Sequence, residues 1–186
     1  MRRTHSLWCI STLAVIFLAW GNVPVLAQEP DLRVLNKAAM EIRAKNPRVD
    51  EALLARDQVV IKAAFPAINA ALAAKGFDDA DVNSAVVTGW KDFRVPPVGL
   101  THFDDQTFKS YVTKLGRLGI QSKPTEAAID INTSRQEEKT NTIKWLAPGT
   151  YLFLLSKDGY YPEEEKRNVA EGNNPPLSKT LRERPK

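Results

Sequence analysis

The rhythm of apolar and polar positions changes twice along this chain. Leu7 to Trp20 is almost entirely apolar. From Leu32 to Leu115 apolar residues recur at three- and four-residue steps, which stacks them on one face of a helix. From Ile120 onward short apolar runs stand between Gly, Pro and Asn residues, the spacing of strands and turns.

The helical stretch divides into segments. Leu32, Leu35, Ala39 and Ile42 predict an amphipathic helix over 31–46, with Asp31 suited to its start. Asn46-Pro47 ends it, because the residue before proline avoids helical angles. Leu53, Val60, Ile61 and Ala64, with Leu54 at the edge, predict a second helix from Val49 to Ala64. Pro66 is expected to interrupt it, since proline removes a helix donor and crowds the preceding turn. Ala67 to Lys75 resumes as a short helix with Gly76 as its cap. Residues 78–93 fit a helix through Val82, Ala85, Val86 and Trp90. Val86-Val87-Thr88 also fits a strand; helix is the preferred reading. Arg94 to Leu100, with Pro96-Pro97, reads as a loop. Phe108, Tyr111, Val112 and Leu115 then predict a helix from Asp104 to Leu115, closed by Gly116 and Gly119.

Beyond Ile120, strands are expected at Ala128–Ile131, Thr140–Leu146 and Tyr151–Ser156, with weaker ones at 165–170 and 177–183. Turns are expected at Ala147–Thr150, Asp158-Gly159 and Gly172–Pro176. Tyr151, Phe153 and Leu155 point one way from their strand and Leu152 and Leu154 the other, which places it at the centre of a layered structure. The fold class predicted is α+β: a helical region over 28–117, then a small antiparallel β-sandwich over 118–186.

The first residues and the charge balance narrow the setting. Met1-Arg2-Arg3 precedes the apolar run, Gly21 to Pro24 breaks it, and Val25-Leu26-Ala27 offers small or medium residues at a cleavage site. That is the secretory pattern, with residues 1–27 as signal peptide and a mature chain beginning near Gln28. The apolar core of about 14 residues is short of the roughly 20 that span a bilayer, so no transmembrane span is expected after cleavage. Cys9, the one cysteine, leaves with the signal, which removes disulfides, thiolate metal sites and a cysteine nucleophile from consideration. Without Arg2 and Arg3 the chain holds 24 basic and 22 acidic side chains, evenly spread. Nucleic-acid binding needs basic residues clustered on one face, so it is not expected.

The last third carries a frame of turn and core residues. It runs Ser122-x-Pro124-x-x-Ala127-x-Ile129-x-Ile131-Asn132, Leu146-x-Pro148-Gly149-x-Tyr151, Lys157-x-Gly159-Tyr160, Val169-x-x-Gly172 and Leu177-x-x-x-Leu181. Residues 120–183 resemble the PEGA domain, a small β-sandwich module of exported and surface proteins in bacteria and archaea. The resemblance implies a carboxypeptidase-regulatory or immunoglobulin-like sandwich and a role in binding or spacing at the cell surface. It carries no catalytic residues; Pro124, Ala127, Pro148, Gly149, Tyr151, Gly159, Tyr160 and Gly172 are its structural positions. This chain departs from the family where Glu126 replaces a usual Gly, and where Asn132-Thr133 replaces an Asp/Asn-Gly turn. Glu137-Glu138-Lys139-Thr140 also replaces a Gly-x-Thr-Pro lead-in to the next strand. Pro148-Gly149 suits a turn in which Gly takes a positive φ, and Gly159-Tyr160 a reversal that returns an aromatic to the core edge.

Candidate chemistry is sparse. His102 lies near Asp104 and Asp105, but no second His or Cys completes a zinc set, and a loop histidine before helix-start acids is preferred. Asp78-Asp79-x-Asp81 lacks the Gly and Glu of a calcium loop and reads as a turn and helix start. Trp90 and Trp145 could stack on sugars, although core positions are more common for tryptophan. Glu163 to Arg167 reads as a solvated turn or edge strand. No metal, cofactor or catalytic residue is expected. The reading is an exported, non-catalytic protein of the periplasm or cell surface that contacts an envelope protein or a cell-wall polymer. An envelope enzyme with its site in the helical region and a spacer without a specific ligand remain as alternatives.

Overall fold

The computed structural model describes residues 29–95 and 102–185. The expected signal segment and most of the Arg94–Leu100 loop lie outside the described residues. Four helices come first: α1 (Leu32–Lys45), α2 (Glu51–Ala73), α3 (Asp79–Arg94) and α4 (Asp105–Val112). Each opens on an aspartate whose carboxylate accepts a backbone N–H of the first turn: Asp31, Asp50, Asp78 and Asp104. This satisfies donors that the helix itself leaves free.

The stripes fall close to their expected places. Leu35, Ala38 and Ile42 of α1 are buried, while Leu32 is exposed. Val82, Ala85, Val86 and Trp90 are all buried on α3, so residues 78–93 are a helix and the strand alternative is discarded. The two helices expected on either side of Pro66 are one. Pro66 is on the solvent side of α2, where water can replace a lost helix hydrogen bond. Phe65, Ile68 and Leu72 beside it are buried, and their burial outweighs a proline cost of about 3 kcal/mol. Gly89 lets α3 approach α4, since a Cβ there would lie 2.6 Å from Val112 Cγ2.

Seven strands follow: β1 (Gly116–Lys123), β2 (Ala128–Ile131), β3 (Ser134–Lys139), β4 (Thr142–Leu146), β5 (Gly149–Ser156), β6 (Glu163–Val169) and β7 (Gly172–Thr180). They form two sheets, β4-β1-β7 and β3-β2-β5-β6. Leu118, Ile120 and Leu177 of the first face Ile129, Ile131, Phe153, Leu155 and Val169 of the second. The fold is therefore α+β, helical region then sandwich. β5 is interior to its sheet, as its apolar faces predicted.

Several strands differ from expectation. Gly116 does not close a helix but opens β1, and β1 reaches back before the expected boundary at 118. A Cβ on Gly116 would meet the Ala170 carbonyl at 2.2 Å, so close strand packing, not helix termination, demands glycine there. β3 occupies the segment where the family's lead-in is absent. Gly172 to Pro176 is not a turn but the first half of β7, which pairs with β1 in parallel while the other described ladders are antiparallel. Two prolines survive in β7 because it is an edge strand and because the register shifts opposite Gly119, between Leu118 and Ile120.

The helical core reaches into the sandwich. Trp145 of β4 is 3% exposed and belongs to the helical core cluster, its ring 4.9 Å from that of Phe77 in an edge-on contact. Around it Arg117 meets Asp81 at 2.8 Å, Lys75 meets Glu171 at 2.5 Å, and Lys45 meets Glu137 at 2.9 Å. An apolar centre with a charged rim thus joins the two regions.

Candidate functional site

The eight frame residues occupy corners of the sandwich. Ser122 Oγ donates to the Pro124 carbonyl at 2.5 Å and lies 2.7 Å from Thr140 Oγ1, which accepts from the Ala127 amide at 2.9 Å. This relay satisfies two buried hydroxyls without water. The Lys123–Pro124 peptide is cis. Pro148 lies in the two-residue link between β4 and β5, and Tyr151 Oη braces that link by donating to the Ala147 carbonyl at 2.7 Å. Gly149 opens β5 without a positive φ. The expected turn geometry is not used there, because the link carries the chain from one sheet to the other instead of closing a hairpin. Gly159 and Gly172 both take φ +82, as a reversal requires. Tyr160 packs half-buried against the sandwich core and pairs with Glu183. These residues shape corners and do not converge on one cleft.

Four non-glycine residues of the described sandwich take a left-handed backbone, Asn141 at φ 67 among them. Glu126 has φ 63, and Asn132-Thr133 have φ 47 and 68. The Asn132-Thr133 pair links β2 to β3, a two-residue turn with both central residues left-handed. Glycine would adopt this turn geometry more easily.

His102 and Asp104 do meet, with Nε2 2.7 Å from Oδ2. His102 is 83% exposed, and Asp104 is already engaged. Its Oδ1 accepts the Thr107 amide and its Oδ2 the Thr107 hydroxyl, both at 2.8 Å, and these bonds hold its pKa below the ordinary value. The pair borders a cleft of about 700 Å³ that Tyr111 and Lys114 also line. Asp105 sits in the first turn of α4 and takes no part in the pair. Asp78 caps α3, Asp79 lies in its first turn and Asp81 pairs with Arg117, so these acids diverge. Among the described residues no group of three or more His, Cys, Asp or Glu could hold a metal. Trp90 and Trp145 are buried, which removes both as sugar-stacking surfaces. Glu163 to Arg167 belongs to β6, an edge strand, which was the second of its two expected readings, with Glu165 bonded to Lys179 of the facing sheet at 2.9 Å.

Two polar clusters, one buried and one half-buried, have no signature in the sequence. Asp57, 2% exposed, accepts two bonds from Arg94 at 2.6 Å and one from Trp90 Nε1 at 2.8 Å. Arg94 also lies over the Phe103 ring at 4.8 Å. Tyr111 Oη donates to Asp92 Oδ2 at 2.9 Å. Burial pushes the Asp92 carboxyl up to about 6, and burial with the Asp92 charge raises both Tyr111 and Tyr151. Asp57 lies 37 residues from Arg94 and Asp92 lies 19 from Tyr111, so helix packing alone assembles them. Among the described residues no helix is long and apolar enough to cross a membrane. No protein-family model matches the chain, and no curated protein is significantly similar to it.

Proposed function

We propose that the chain is an exported, non-catalytic protein of the bacterial envelope that binds another envelope component through a PEGA-like sandwich. The observation that carries this reading is the left-handed backbone at Glu126 and Thr133. At both positions the resemblance has a glycine, the residue that takes a left-handed backbone most easily, which supports a PEGA-like turn there. The secretory pattern over 1–27 supports export to the periplasm or cell surface. The seam around Trp145 supports binding by holding the sandwich at a fixed angle, with its far faces free for a protein or wall polymer.

Cells expressing the full chain with a C-terminal tag, fractionated and then cross-linked, test the proposal. It predicts a mature protein that starts near Gln28, sits in the envelope fraction and carries one or two components in fixed ratio. His102→Ala leaves that capture unchanged. A full-length chain in the cytosol, or capture lost in His102→Ala, contradicts it.

A further inference from the structure

The outward face of the β4-β1-β7 sheet is covered by helices only at one end, where Arg117 and Trp145 dock. The remaining rows are open to solvent. Gly119 pairs with Ile143, Gln121 with Ser178 and Lys123 with Thr180. Two shallow grooves of about 580 and 440 Å³ run over these rows and share Gln121 and Asn141 as walls. No Asp or Glu lines either groove, although the chain holds 22 acidic residues. The other three grooves described each include a carboxylate: Asp104, Asp158 and Glu41 are examples.

We infer that this face binds a glycan bearing acidic groups, a conclusion that rests on the envelope-binding reading and names its ligand class. The amides of Asn141 and Asn173 and the hydroxyl of Thr180 can each donate and accept, and Ser178 Oγ, by donating to Gln121 Oε1 at 3.2 Å, leaves the Gln121 N–H groups to donate, which suits the hydroxyls of a sugar ring. Gly119, the exposed Ile143 and Pro176 make a low apolar strip between them, suited to the C–H face of a sugar. Charge complementarity selects an acidic ligand. Lys123 is exposed and has no carboxylate partner among the described residues, whereas Arg117 and Lys179 are neutralised by Asp81 and Glu165. A protein strand is disfavoured along the β7 edge, which Pro175-Pro176 interrupt; addition at the other edge, β4, would shift residues 142–146 and spare 173–180.

Titration of the labelled mature chain with an oligogalacturonate, followed by NMR, tests the site. A neutral chito-oligosaccharide and inorganic phosphate serve as comparison probes. The expected result is shifts confined to residues 119–123, 141–143 and 173–180, with affinity falling about tenfold or more in Lys123→Glu. Ser178→Glu, at an exposed position, gives the same loss with an unchanged melting curve. Three results overturn the assignment: no shifts at millimolar oligosaccharide, an equal response to phosphate alone, or shifts centred on Arg135 and Lys139 of the other sheet. Self-association that covers the face also overturns it, in favour of a second copy as occupant. If wild-type chain is captured with an envelope component and Lys123→Glu is captured equally, this site fails while the envelope function stands. If wild type captures nothing, the function itself fails.

Discussion

The helical region gathers three donors on one buried carboxylate, whereas the sandwich keeps most of its charge at its rims. Asp57, Arg94 and Trp90 form a bonded cluster inside the helices, and Asp92 and Tyr111 form another near the seam. The sandwich buries the Ser122–Thr140 relay and one carboxylate, Asp130, which is 9% exposed and bonded to Arg135 at 2.8 Å. Its ion pairs, Lys144 with Glu138 and Lys179 with Glu165, close the two open sides where edge strands face each other. A buried charge depends on its partner, because no water replaces a lost bond. A rim charge is solvated either way. The same kind of substitution should therefore have very different effects in the two regions.

The largest expected effect is in the helices. Asp57→Ala leaves Arg94 and the Trp90 N–H without their acceptor and should cost about 3–5 kcal/mol in chemical denaturation. Trp145→Ala should cost about 3 kcal/mol or more and split a single calorimetric transition into two, since it empties the centre of the seam. A single sharp transition in that variant would show that the two regions are not coupled through Trp145.

Asp92 sharpens the comparison through pH. Burial raises its folded pKa from 3.8 to about 6, so its contribution to stability is fully present below 3.8 and is lost as pH rises through about 6. Asp92→Asn removes that loss. It should be more stable than wild type at neutral pH by the order of 2 kcal/mol, with the two converging in acid. Smaller still is the relief of left-handed strain in the sandwich, where Thr133→Gly should stabilise by about 1 kcal/mol. Glu165→Gln, at the rim, should change stability by less than about 1 kcal/mol. A rim effect as large as that of Asp57→Ala would erase the distinction between the two regions.

What could be read from the sequence follows the same division. Helix stripes and aspartate caps are local, three or four residues apart, and they were legible. Pro66 misled because its cost is local while the burial of Phe65, Ile68 and Leu72 that outweighs it is not. β1 and the first half of β7 were hidden because Gly116 and Pro175-Pro176 carry stop signals in isolation. Their reasons are a close carbonyl at Ala170 and a bulged edge, which appear only once β1 and β7 pair across more than fifty residues. The carboxylate-free face of the sandwich depends on that same pairing. The corner residues Gly159 and Tyr160 were legible because a turn acts within its own few residues.

Site-specific photo-cross-linking in living cells tests the functional account most directly. A photoreactive residue would replace Gln121 or Lys166 on the sandwich, or Lys62 on α2. The account predicts an envelope adduct in fixed ratio from a sandwich position and none from Lys62. Adducts from Lys62 alone, or from no position, would contradict it.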